Sequence, residues 1–201
     1  MALGKNTTIG KVIDMVRVED SIVQEDRITD TLLLDRTNIN VADLAKRLNG
    51  VNAPFYMSTA TLTLSGSSYP ITSLAIDRIV KIVDGTLGII LSSSPADYEN
   101  ISLLTSQNGS SMYFTVEGET IRIFKGATLA AHGTITIYYY RVPTFATAKS
   151  DYPDIPDSFT AMIVKMLSAD VYAYRNKGKR DANKDMEIQK NIQEVLDAYK
   201  Q

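Results

Sequence analysis

The chain carries a single histidine, His132, and no cysteine. A lone imidazole binds a metal only with carboxylate or carbonyl co-ligands, and any nucleophilic triad would hang on this one residue. It stands in Ala130-Ala131-His132-Gly133, a turn composition ahead of a β-rich run, and reads as a solvated loop histidine. Without cysteine, disulfides, thiolate metal sites and a cysteine nucleophile are excluded, and the fold must hold by packing alone. Asp151, Asp154 and Asp157 recur every third residue, a spacing open to a hard cation, but the glycine and terminal glutamate of a calcium loop are missing. Capping and linker solubility account for them more simply. No phosphate-cradling glycine loop and no dinucleotide fingerprint occurs. A paired-carboxylate hydrolase needs two acids that nothing in the order of residues selects. The expectation is a protein that is not an enzyme and has no catalytic residue, cofactor or metal.

Side chains suited to contact are easier to find. Tyr138, Tyr139 and Tyr140, followed by Arg141, offer ring faces of the kind that stack on bases or sugars. A strand wedged between a core and a neighbouring subunit also uses tyrosine, which buries area while keeping a polar tip, and this packing role is the stronger reading. Arg175, Lys177, Lys179 and Arg180 form a basic cluster that suits a solvated helix end or, as the minor option, a partner contact. Ile188, Ile192, Val195, Leu196 and Tyr199 make an apolar stripe near the end of the chain. Intrachain packing and docking to a partner are both open for it. The candidate interface residues are therefore Tyr138, Tyr140, Arg141, Arg175, Lys177, Lys179, Arg180, Ile188, Ile192, Leu196 and Tyr199.

Three compositional blocks must position these groups. Residues 1–52 read as helical: Ile9, Val12, Ile13 and Val16 recur at three and four, with Thr7 or Thr8 as N-cap. A second helix is expected from about Asp26 to Leu48, with Ile28, Leu32, Ile39, Leu44 and Leu48 on one face and Asn49-Gly50 as the stop. The weak helix formers Thr37-Asn38-Ile39-Asn40 leave open a break into two helices. Residues 53–142 are rich in Ser, Thr, Gly and β-branched side chains with period-two alternation, predicting strands at 59–64, 79–83, 113–116, 120–124 and 134–142. On the last, Ile135, Ile137 and Tyr139 face one side. Residues 143–201 open with a linker containing Pro143, Pro153 and Pro156. They return to helix with Phe159, Met162, Ile163, Met166, Val171 and Tyr174 as the apolar face. The polar, glycine-containing break at 176–180 predicts a flexible tether to a final helix. The fold class is α+β: a bundle of N- and C-terminal helices with an inserted antiparallel, sandwich-like β block.

Charge narrows the role further. Lys and Arg total 21 against 23 Asp and Glu, a formal net charge of −2, so the basic excess behind general phosphate binding is missing. The first fourteen residues lack the apolar core of a signal peptide and no stretch approaches a membrane span, so synthesis in the cytoplasm and no membrane partner are expected.

The order of these signals resembles the head-to-tail connector, or tail adaptor, proteins of tailed bacteriophages. The resemblance is most specific in residues 133–174: a strand ending Ile137-Tyr138-Tyr139-Tyr140-Arg141-Val142-Pro143, an acidic linker, then Asp154-Ile155-Pro156-Asp157-Ser158-Phe159 leading into a helix with alanine and tyrosine. Upstream, Ile39-Asn40-Val41-Ala42-Asp43-Leu44-Ala45 looks like the family's second helix. Tyr98-Glu99-Asn100-Ile101, Tyr113 and Gly118-Glu119-Thr120-Ile121-Arg122-Ile123 look like its sheet region. The resemblance implies a virion protein of the neck, a ring commonly of twelve copies that binds itself, docks beneath the portal protein and meets downstream tail or nozzle proteins. DNA passes through its centre without sequence-specific binding, for which a mildly acidic wall is suited. The alternative is a carbohydrate- or receptor-binding β-module of a phage tail, disfavoured because the chain has no Trp and its aromatics cluster in one strand.

Overall fold

The computed structural model describes residues 6–20, 27–63, 68–85, 90–93, 112–125 and 134–200, and His132 lies outside them. The chain divides into a helical unit, comprising the chain up to Tyr56 and from Val142 onward, and a sheet unit, Met57–Arg141. The class is α+β.

In the helical unit, α1 (Ile9–Glu19) begins where the Thr8 side chain accepts a hydrogen bond from the Lys11 N–H. Ile9, Val12, Ile13 and Val16 are all buried, the stripe their spacing predicts. The N–H groups of Ile9 and Gly10, orphans of the first turn, donate to the carbonyls of Asp151 and Lys149 at 2.9 Å each. A Cβ on Gly10 would stand 3.2 Å from the Lys149 carbonyl oxygen, so a small residue lets the linker approach this closely.

Helix α2 (Asp30–Gly50) is capped by Thr29 and runs unbroken through Thr37-Asn38-Ile39-Asn40. Each weak helix former there except Ile39 has a bond that compensates it. Thr37 Oγ1 donates to the Leu33 carbonyl at 2.7 Å, Asn38 exchanges two hydrogen bonds with the Ala146 backbone, and Asn40 Nδ2 donates to Asp170 Oδ2 at 3.1 Å. The buried face is Leu33, Thr37, Asn40, Val41, Leu44, Ala45 and Leu48, so the register expected from Leu32 and Ile39 is corrected. Ile39 is 52% exposed, and Ile28 is buried ahead of the helix rather than on it. Two polar residues on the inner face hid the true stripe from an apolar count.

After the linker and one 3-10 turn at Asp157–Phe159, α3 (Thr160–Arg175) buries Ile163, Leu167 and Val171. Met162 is half-buried, while Tyr174, expected on that face, is exposed. The predicted tether is instead a defined turn: Lys177 and Gly178 take positive φ, and the Gly178 N–H donates to the Ala173 carbonyl at 2.8 Å, closing α3 with a Schellman-type cap. Asp181 then caps α4 (Ala182–Ala198). Helix α3 packs against α1, α2 and α4, and α4 also meets α2.

The sheet unit holds β1 (Met57–Thr63), β2 (Ser68–Pro70), β3 (Ile76–Asp84), β4 (Ile90–Ser93), β5 (Met112–Glu117), β6 (Thr120–Lys125) and β7 (Thr134–Arg141) in the order β1-β7-β3-β4-β5-β6-β2. Pairing is antiparallel except between β4 and β5, which run parallel. Strands β5 and β6 form a hairpin whose turn uses Gly118 at φ +56°, a conformation L side chains rarely adopt. Ile135, Ile137 and Tyr139 of β7 are buried in one apolar core with Ile82, Phe114 and Ile121.

Candidate subunit and partner interface

The three spaced aspartates are engaged with backbone. Asp151 Oδ2 accepts from the N–H groups of Thr147 and Ala148 at 2.8 and 2.9 Å, and these bonds hold its carboxyl below the usual range. Asp154 Oδ2 accepts from the Thr144 N–H at 2.7 Å, and Asp157 Oδ2 from that of Asn6 at 2.9 Å. They fold the linker. Among the described residues, no group of three His, Asp or Glu side chains is arranged to hold a metal ion, and no helix is long and apolar enough to cross a membrane.

A groove of about 450 Å³ lies in the helical unit between the first turns of α2 and the last turns of α3. Leu32 and Leu33 line one wall, and Leu167, Val171 and Tyr174 the other. Its lining is mixed: Ile28, the leucines and Val171 supply the apolar part, and Arg36, Asp170, Lys177 and Arg180 the polar part. Asp170, the acid in the lining, is already engaged: Arg180 donates to its Oδ1 at 2.7 Å and Asn40 to its Oδ2. Arg180 also reaches Asp185 at 3.3 Å. Arg36 and Lys177 are exposed and carry no ion pair among the described residues.

The outer face of α1 is the reverse case. Lys11, Asp14, Met15, Val18 and Glu19 border a shallow apolar depression, at a spacing of three and four that puts all five on one side of the helix. Val18 is 82% exposed and Met15 47%. Asp14 and Glu19 have no ion pair among the described residues.

The basic cluster is divided by this geometry. Arg175 donates to the Asp20 carbonyl at 3.1 Å and Arg180 is held by Asp170, which leaves Lys177 at the groove and Lys179 exposed nearby in the chain. On α4, Ile188 and Ile192 are buried, Leu196 is half-buried, and Tyr199 packs edge-on against Phe55 with ring centres 5.3 Å apart. Phe55 meets Phe159 in the same way at 5.5 Å. In the sheet unit Tyr140 is 1% exposed, with the Arg78 guanidinium 5.1 Å from its ring centre. Tyr138 is half-buried beneath the Lys81 ammonium at 4.6 Å, and Arg141 ends β7 opposite Ile76. Sequence reasoning missed Leu32, Arg36 and Tyr174 as one surface, because two helices make it. It also passed over Met15 and Val18, whose signal was legible: large apolar residues on the polar side of an amphipathic helix.

The family model described as SU10 adaptor protein matches residues 7–200. No curated protein matches the chain.

Proposed function

The chain belongs to the SU10 adaptor protein family, and from that premise we propose that it is one subunit of a head-to-tail connector ring that docks beneath the portal and gives the tail its platform. Membership of a structural phage adaptor family supports reading the chain as a virion component with a structural rather than an enzymatic role. The carrying observation is the extent of the match, which takes in both helical segments and the sheet between them. The ring, commonly of twelve copies, meets the portal protein on one side and tail or nozzle proteins on the other.

Two features support this reading. The helical unit carries charged groups without an ion pair among the described residues beside exposed apolar side chains, the makings of a subunit contact. The formal net charge of −2 suits the wall of a channel through which DNA slides rather than sticks. The test is to mix the full chain with its portal protein and follow assembly by native mass spectrometry and negative-stain microscopy. Closed rings on the portal are the expected result. A chain that stays monomeric and leaves the portal bare overturns the proposal.

A further inference from the structure

We propose that the ring closes through a heterologous contact in which the outer face of α1 from one copy, Met15 and Val18 flanked by Asp14 and Glu19, seats in the α2–α3 groove of the next copy beneath Arg36 and Lys177. This rests on the reading of the protein as a ring subunit and names the surfaces that make the ring.

The two faces are complementary in polarity and, where α1 carries Asp14 and Glu19, in charge; Lys11, the base on the same face, is turned back to the Asn6 carbonyl at 3.5 Å. Asp14 and Glu19 are acids without ion-pair partners among the described residues, and so are Arg36 and Lys177 as bases. Each pair flanks apolar side chains that are exposed or half-buried: Met15 and Val18 on one face, Tyr174 and Leu32 in the other. Joining the faces removes that apolar surface from water and pairs the charges around its rim, the arrangement of a specific interface. The symmetry also fits. A contact between two different patches passes from copy to copy and closes into a ring, whereas a self-complementary patch stops at a dimer. A small molecule is the weaker occupant, because the Asp170 carboxylate is already taken by Arg180 and Asn40 and the bases left at the groove, Arg36 and Lys177, stand on exposed side chains rather than on buried, oriented ones.

The absence of cysteine makes the test site-specific. Lys179→Cys, at an exposed position beside the groove but outside its lining, is labelled with a benzophenone maleimide, mixed as equal parts of isotopically light and heavy protein, assembled with portal and irradiated. Peptide mass spectrometry is then expected to find cross-links from position 179 to residues 14–19, half of them joining light to heavy chains. Cross-links confined to one chain overturn the proposal, and so do cross-links to the portal or another protein. Rings seen by microscopy without an α1 cross-link place the contact elsewhere and leave the ring standing. No rings at all bring down the reading beneath it.

Charge reversal supplies a second readout that a misfolded variant does not mimic. Glu19→Lys and Lys177→Glu are each expected to raise the concentration for half-assembly about tenfold, and the double variant to return within about threefold of the parent. Both residues are exposed, so circular dichroism of each variant should match the parent. Unchanged assembly in the single variants, or no recovery in the double, sinks the contact.

Discussion

Asn38 is the clearest place to test how the helical unit is held together. Its Nδ2 donates to the Ala146 carbonyl at 2.9 Å and its Oδ1 accepts from the Ala146 N–H at 3.0 Å, so one side chain satisfies both backbone groups of a buried linker residue 108 positions away. Asn38→Ala removes both bonds and leaves both groups of Ala146 with only the water that can reach them. A neutral hydrogen bond is worth about 1 kcal/mol net and a stranded buried group costs about 1–3 kcal/mol, so with Asn38 itself half-buried the loss is about 2–3 kcal/mol. For a chain of this length that is a fall of about 4–12 °C in the melting of the helical unit. Alanine also improves helix propensity by roughly half a kcal/mol, so the proper control is Asp35→Ala, exposed on the same helix and carrying a similar gain. Urea unfolding followed by far-UV circular dichroism, analysed in separate phases if the two units melt apart, gives the comparison. A difference from the control below about 0.5 kcal/mol would refute the clamp, since that is the scatter of surface substitutions.

Asp30 pairs with Lys149 and with Arg17, and these partners hold its carboxyl below its usual value of 3.8. A depressed carboxyl contributes stability above its unfolded value and loses it as pH falls through the lower folded value, so Asp30→Asn should flatten the acid limb of a melting-temperature profile below about pH 4. Ile192→Ala, at a 1% exposed position on α4, should cost about 2–4 kcal/mol in chemical unfolding, while Met186→Ala, 64% exposed on the same helix, should change stability by less than about 0.5 kcal/mol. Truncation after Asn176 removes Ile188, Ile192 and the Tyr199 ring from Phe55, and should cost the helical unit its cooperative melt in a thermal scan; a sharp transition in the shortened chain would show that α4 is dispensable for folding.

What the sequence made legible follows the strength of its periodicity. Helix α1 could be read because Ile9, Val12, Ile13 and Val16 are apolar and its cap is a threonine, and β7 because Ile135, Ile137 and Tyr139 alternate without interruption. Strands β2 and β4 went unseen: one spans three residues ending in Pro70 and the other four, too few for a period to show. On α2 the polar Thr37 and Asn40 occupy the inner face, so counting apolar residues selected the exposed Ile39 instead. The turn after α3 looked like a loose tether by composition. Its order comes from a backbone bond between Gly178 and Ala173, which composition does not report. The groove was the least legible feature, since Leu32 and Tyr174 meet only once the packing of α2 on α3 is known.

The polar residues on α2 carry more than their own helix. Thr37 satisfies its oxygen locally, but Asn38 reaches the linker and Asn40 reaches α3, so neighbouring positions fix two other segments to the same helix. The linker in turn closes the first turn of α1 through Asp151 and Lys149, and Asp170, which receives Asn40, also receives Arg180 from the turn beyond α3. An apolar core alone resists separation but tolerates sliding, because its attraction has no direction. Hydrogen bonds of defined length between segments far apart in the chain do not. The outer face of α1 and the groove are thus set at a fixed spacing within the helical unit, which the proposed contact from copy to copy requires, since an error in that spacing would recur at every copy of a ring.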